Sequence, residues 1–212
     1  MPRLSLISVS LIAMSLLNCA VANPTPDPIP VETVRDGSPA TDSPPPETRS
    51  PVCDSKIQLT EMMIDPAATP DATSEYLELH NPGSDPIPLA GWILRDGRHR
   101  PEVLHTDHVI AAGGFAILAP SDDMDANGDL AVDVVIHRFT LPNRGGLVHI
   151  QTPCGESAIR VRYSARPPWP SLRPGVALEL RTPLRNPAAP RSWRGARRVL
   201  PSGDYGSPGR LR

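Results

Sequence analysis

Beyond residue 53, apolar and polar positions alternate with a period of two in short runs, and glycine- and proline-rich turns separate the runs. Glu75-Tyr76-Leu77-Glu78-Leu79-His80-Asn81-Pro82 is the clearest case. Leu77 and Leu79 alternate with Tyr76, Glu78 and His80, the pattern of a half-buried strand. Asn81-Pro82-Gly83-Ser84-Asp85-Pro86 is rich in residues that stop strands and make turns. Ile87, Leu89 and then Trp92-Ile93-Leu94 restart the apolar run, and Asp96-Gly97 closes it. The same reading predicts strands over Lys56 to Ile64, Asp133 to Leu141, and Val176 to Arg181. Val109 to Leu118 reads as a short strand, a glycine turn and a second strand. Leu147 to Gln151 and Ser157 to Tyr163 form a hairpin around Pro153-Cys154-Gly155-Glu156. Residues 98 to 108 read as a polar connection and Ser121 to Asp129 as an acidic loop. No segment sustains helical periodicity over three turns. Strands recurring about every ten residues predict an all-β sandwich or barrel.

The first 52 residues have a different pattern. Met1-Pro2-Arg3 and the apolar run Leu4 to Leu17 have the form of a secretory signal. The run is too short to span a bilayer, which takes roughly 20 residues. It ends in Leu16-Leu17-Asn18-Cys19, which resembles a bacterial lipobox, with Asn18 where Gly, Ala or Ser is usual. Residues 1–18 then form a signal peptide, and Cys19 becomes a lipidated N-terminus that holds the protein on the cell envelope. The resemblance, with Ala20 next, points to the outer membrane or cell surface. The alternatives are an ordinary cleaved signal, in which Cys19 is an incidental thiol, or an uncleaved anchor. Residues 19–52 form a linker with Pro at 24, 26, 28, 30, 39, 44, 45, 46 and 51. Such a segment buries too little apolar surface to offset its ordering entropy and is expected to be an extended spacer. The globular domain is placed at 53–212. Exported chains keep disulfides, so the remaining cysteines, Cys53 and Cys154, are expected to pair, with two free thiols as the alternative.

The six segments Leu59 to Pro66, Glu75 to Pro82, Leu89 to Gly97, Ile110 to Ala119, Leu141 to Gly146, and the closing set Trp169-Pro170, Leu178-Glu179-Leu180, Trp193 and Gly206-Ser207-Pro208-Gly209 follow one another in a familiar order. Together they resemble the lamin-tail domain over roughly 56 to 209, with His80 where an aromatic is usual. The resemblance implies an immunoglobulin-like β-sandwich. It also implies an exported bacterial form of a domain that serves animals as a non-catalytic interaction module. Bacterial members often accompany nucleases, phosphatases or surface structures.

Charge and chemistry change this picture at three places. Asp123-Met124-Asp125-Ala126-Asn127-Gly128-Asp129 places oxygens at alternate positions and Gly at the sixth, like the start of a calcium loop. Asp123, Asp125, Asn127 and Asp129 are therefore candidate calcium ligands. Val134 stands where the closing acid would be, and a solvated acidic turn is the alternative. Second, charge is unevenly distributed. Residues 1–157 hold 9 Lys/Arg and 21 Asp/Glu, whereas residues 158–212 hold 12 Arg and 2 acids. Arg160, Arg162, Arg191, Arg194, Arg197 and Arg198 are candidates for a basic face that binds extracellular nucleic acid or acidic polysaccharide. The alternative is that the two halves interleave and neutralise each other. Third, no catalytic set is legible: Glu75 and Glu78 at odd spacing point to opposite sides of a strand, His105 and His108 have no cysteine nearby, and no nucleophile elbow or phosphate loop occurs. The sequence thus predicts a non-enzyme without a required cofactor, a lipid-anchored module for adhesion or envelope organisation. Its partner is a protein or a surface polymer.

Overall fold

The computed structural model describes residue 53, residues 57–182 and residues 185–210. The lipobox cysteine Cys19, the signal segment and the proline-rich linker lie outside the described residues. Among the described residues twelve strands and two single-turn α-helices follow in order. They are β1 (Gln58–Met63), α1 (Asp71–Ser74), β2 (Tyr76–His80), β3 (Ile87–Pro88), β4 (Ile93–Arg95), β5 (Glu102–Val103), β6 (Val109–Ile110) and β7 (Phe115–Ala119). Then come α2 (Met124–Asn127), β8 (Val134–Val135), β9 (Gly145–Gln151), β10 (Ser157–Ser164), β11 (Leu178–Leu180) and β12 (Trp193–Gly195). A six-stranded sheet runs β12-β11-β1-β2-β7-β8, a four-stranded sheet runs β10-β9-β4-β5, and β3 pairs with β6. All pairings are antiparallel except β7 with β8. This is the all-β sandwich predicted from the strand pattern, in the immunoglobulin-like form that the family resemblance implies.

The sheets meet through the inward positions of each strand. Leu59, Met62, Leu77, Leu79, Leu118 and Leu178 from one sheet share a core with Leu94, Val148, Ile150, Ile159 and Val161 from the other. Trp92 and Trp193 are fully buried in it. Their indole N–H groups donate to the Pro88 and Pro187 carbonyls at 3.0 and 2.8 Å, satisfying the one polar atom each ring carries inward. Strict alternation along β1 would place Leu59 and Met62 on opposite faces. A register shift between Leu59 and Glu61 absorbs one residue, so both leucine and methionine turn inward while Glu61 turns out.

The strand expected to be half-buried is covered on both sides: every residue of β2 is buried. The cover is a second apolar layer on the outer face of the six-stranded sheet, where Met63, Tyr76, Ile117, Ala119, Leu130, Ala177 and Ala196 cluster. The stretch 196–209 supplies part of it. Its Ala177–Ala196 and Ala177–Tyr205 backbone hydrogen bonds, 2.8 and 2.9 Å, hold the segment to the start of β11. The expected strand over Asp133 to Leu141 is short. Only Val134 and Val135 pair, Ile136 N–H still reaches the Ala119 carbonyl, and from His137 on the backbone donors turn to side chains, His137 N–H and Arg138 N–H to the Glu102 carboxylate. β5, β12 and the turn α2 arise where the sequence pattern predicts loop, because two- to four-residue elements are too short to show a period.

Cys53 and Cys154 form a disulfide with Cα atoms 5.7 Å apart. It ties the approach to β1 in one sheet to the β9–β10 turn of the other. The Asn81 turn is held by its own side chain. Asn81 is fully buried, and its amide donates to the carbonyls of Asp85, Ile110 and Ala111 while accepting from Gly83 N–H.

Candidate functional site

Strand alternation sends a second set of side chains outward from each sheet. On β1, β2 and β11 these are Glu61, Glu78 and Glu179, placed side by side by the pairings Glu61 with Glu78 and Glu61 with Glu179. Like charges facing across strands repel, and all three are buried. They persist because each is hydrogen-bonded. Glu61 accepts from Tyr76 O–H at 2.5 Å and from the Ser207 N–H and hydroxyl. Glu78 accepts from Thr60 O–H at 2.6 Å and Gly209 N–H at 2.5 Å. Glu179 accepts from Ser207 O–H at 3.0 Å and is ion-paired with Arg194 at 2.6 Å. Burial raises the Glu78 carboxyl to about 7, against the lowering effect of its bonds to Thr60 and Gly209. Gly206 is placed here by necessity, since a Cβ on it would lie 2.5 Å from the Tyr76 hydroxyl. The row is thus closed over by the segment 203–209 and spends its oxygens internally.

Glu75 does point elsewhere than Glu78. It accepts from Leu141 N–H at 2.8 Å, and burial lifts it to about 7, with Asp71, Asp65 and Asp96 adding to the rise. Nearby, Asp96 accepts from Arg98 N–H, His99 N–H, Thr140 and the His99 ring. Against its burial, which works to raise it, the bonds from His99 and Arg98 and the His99 charge hold it low, at about 2. Both groups organise loops. His80, where the sequence pattern departs from an aromatic, stacks on Phe115 with ring centroids 4.6 Å apart, so imidazole fills the aromatic's place. Burial lowers its pKa.

The six candidate arginines are not brought together. Arg160 and Arg162 are exposed on β10, between the buried Ile159, Val161 and Tyr163, and so project from the outer face of the four-stranded sheet. Arg194 lies on β12 and is turned to Glu179 on the outer face of the other sheet. Arg191, Arg197 and Arg198 are exposed on the chain flanking β12. The single basic face expected from clustering in sequence is therefore split between two sheets, because β10 and β12 belong to different layers.

What the four-stranded sheet does assemble is a smaller cationic surface that includes a residue sequence reasoning missed. His149 on β9 stands opposite Arg160 on β10 and opposite Arg95 on β4. Arg160 Nη1 lies 3.3 Å from His149 Nδ1, and Arg95 Nε donates to Gln151 Oε1 at 2.6 Å. Among the described residues none of Arg95, Arg160 and Arg162 is ion-paired. The His149 pKa is lowered, first by partial burial and then by the charges of Arg160 and Arg95. Arg95 is one residue from the Asp96-Gly97 turn and far in sequence from the arginine-rich third. Only strand pairing reveals its place.

In the acidic loop, Asp123 caps α2: its carboxylate accepts from Asp125 N–H at 3.0 Å and Ala126 N–H at 3.3 Å. Asn127 is buried, with its amide bonded to Ser121, Leu130 and the Leu130 N–H. Asp125 and Asp129 are exposed. Among the described residues no group of three or more His, Cys, Asp or Glu is arranged to hold a metal, and no helix is long and apolar enough to cross a membrane.

With this geometry in hand, the family model described as Lamin Tail Domain matches residues 54–164. No curated protein matches the chain.

Proposed function

The chain belongs to the lamin tail domain family, and on that premise we propose that it is a non-catalytic interaction module for an anionic polymer of the cell surface. The family is an immunoglobulin-like, non-enzymatic one. In this reading a lipid on Cys19 anchors the protein in a bacterial envelope, and the proline-rich spacer carries the domain away from the bilayer. The module serves adhesion or envelope organisation. The observation that supports recognition of an anionic polymer, nucleic acid or acidic polysaccharide, is the outer face of the four-stranded sheet. Arg95, Arg160 and Arg162 stand there around His149 without a carboxylate partner among the described residues. A guanidinium without a carboxylate partner keeps donors for phosphate, sulfate or carboxylate, here those that Arg95 does not give to Gln151 and Arg160 does not turn to His149. The remaining candidates, Arg191, Arg197 and Arg198, contribute charge from the other sheet's edge, and Arg194 is engaged by Glu179.

Retention of the full chain on heparin and on duplex DNA columns tests the reading. Retention that falls steeply with salt, and is lost in an Arg95→Ala, Arg160→Ala, Arg162→Ala variant, supports it. Absence of retention at low salt removes it. Calcium assistance through Asp123, Asp125, Asn127 and Asp129 belongs to the same proposal. A rise in melting temperature in millimolar calcium supports it, and an unchanged melt removes it.

A further inference from the structure

We infer that a cavity on the outer face of the six-stranded sheet is a binding site for a small organic cation with an aliphatic body, a protonated alkylamine. The cavity has a volume of about 330 Å³, at the lower end of the roughly 300–1,000 Å³ typical of small-molecule sites. Its floor is apolar: Met63, Ile117, Leu130 and Leu200 belong to the second hydrophobic layer. Its charged groups are of one sign. Asp129, Asp133 and Asp204 line it, and among the described lining residues none is Lys, Arg or His.

The three carboxylates are held differently. Asp133 Oδ2 accepts from Ile117 N–H at 2.8 Å, and Asp204 Oδ2 accepts from Ala67 and Ala68 N–H at 3.1 and 3.3 Å. Those two are fixed in place by backbone donors. Asp129 is exposed, has φ of 62°, and its carboxylate accepts no hydrogen bond among the described residues. The wall it stands on is braced. A Cβ on the preceding Gly128 would lie 2.7 Å from Ser202 Cβ, so the acidic loop closes directly on the C-terminal segment. An anion would be repelled here. A neutral apolar molecule would cover the floor and leave the carboxylates poorly solvated, at a cost. An ammonium group on a short alkyl stem meets both demands: methylenes on the leucine, isoleucine and methionine side chains, charge among the aspartates. The site lies on the sheet opposite the cationic arginines and has the reverse sign, so it stands or falls separately from the polyanion reading of that face, and it shares Asn127 and Asp129 with the calcium candidates.

The test is calorimetric titration of the full chain at low salt with 1-aminopentane, with pentan-1-ol as the neutral isostere, and with a lysine-bearing peptide. Methyl NMR shifts locate the ligand. The expected result is saturable one-to-one binding of the amine, with shifts at Ile117 and Leu130, and about tenfold weaker binding of the alcohol. Asp129→Asn removes one charge at a position where asparagine tolerates positive φ. It is expected to weaken the amine by about tenfold and leave the alcohol unchanged. Equal affinity for amine and alcohol, no saturable amine binding, shifts confined to other methyls, or capture of the peptide while the free amine fails would each overturn the inference. The NMR localisation on the unmodified chain keeps it testable should the variant not fold.

Discussion

On β1, β2 and β11 the outward side chains are Glu61, Glu78 and Glu179; on β4, β9 and β10 they are Arg95, His149, Arg160 and Arg162. Strand alternation produces both sets, and in sequence either reads as a solvated polar face. The first set is sealed beneath residues 203–209, with Tyr76, Thr60, Ser207, Gly209 and Arg194 as partners. The second is left without ion pairs among the described residues. A charged side chain that is buried and fully bonded sustains the fold. A charged side chain that is exposed and unpaired costs the fold nothing to keep or lose, and is free to act on something else. The contrast separates structural from functional charge in this domain.

Several changes would break or sharpen that contrast. The largest effect is expected from the disulfide, which links the two layers. Cys53 and Cys154 are 101 residues apart, and a loop of that size is worth about 4–5 kcal/mol in the chain-entropy model. A Cys53→Ala, Cys154→Ala variant should lose most of that in denaturant unfolding. Next is Glu61→Ala. It removes the Glu61 acceptor from the Tyr76 hydroxyl and the Ser207 N–H in a buried site, the Ser207 hydroxyl keeping Glu179, an expected loss of roughly 3 kcal/mol. If that substitution were as mild as Arg160→Ala, which should stay within about 0.5 kcal/mol, the distinction between the faces would fail.

The pH dependence is smaller and carries a sign. Glu75 and Glu78 titrate near 7 in the folded chain, above their ordinary value of 4.5. Between those values the folded state binds more protons than the unfolded one. Their contribution is therefore full below about 4.5 and is lost as pH rises through about 7. His80 and Asp96 run the other way. Their folded pKa values are lowered, so their contributions are present above the ordinary values and are lost as pH falls through the folded ones. Melting temperature should fall from pH 5.5 to pH 8, and Glu78→Gln should flatten that slope. A slope unchanged by Glu78→Gln would contradict the assignment of the raised pKa to this buried row.

Much of the fold was legible because its signals are local. The period-two runs, the Asn81-Pro82 and Asp96-Gly97 turns, and the order of the six lamin-tail segments marked the sandwich. Trp92 was legible as core. Short elements such as β5 and β12 were not, since two or three residues carry no period. The burial of β2 on both faces was also hidden: it depends on a C-terminal segment more than a hundred residues away, and Glu78 and His80 looked like solvent-facing positions. The candidate site was only half legible. Arg160 and Arg162 were read from alternation, but Arg95 joins them through the β4–β9–β10 pairing, and Arg194 leaves them for Glu179. Proximity in sequence suggested one arginine face, and layer membership divides it.

The most direct test of the central claim is the salt dependence of duplex-DNA binding by the full chain, compared between two variants. One is Arg95→Ala, Arg160→Ala, Arg162→Ala; the other is Arg191→Ala, Arg197→Ala, Arg198→Ala. Three phosphate contacts on the four-stranded face correspond to a slope of log affinity against log salt of about −3. The account predicts that the first variant loses that slope while the second retains most of it, with both melting like the parent chain. An equal loss in the two variants, or retention of the full slope by the first, would contradict it.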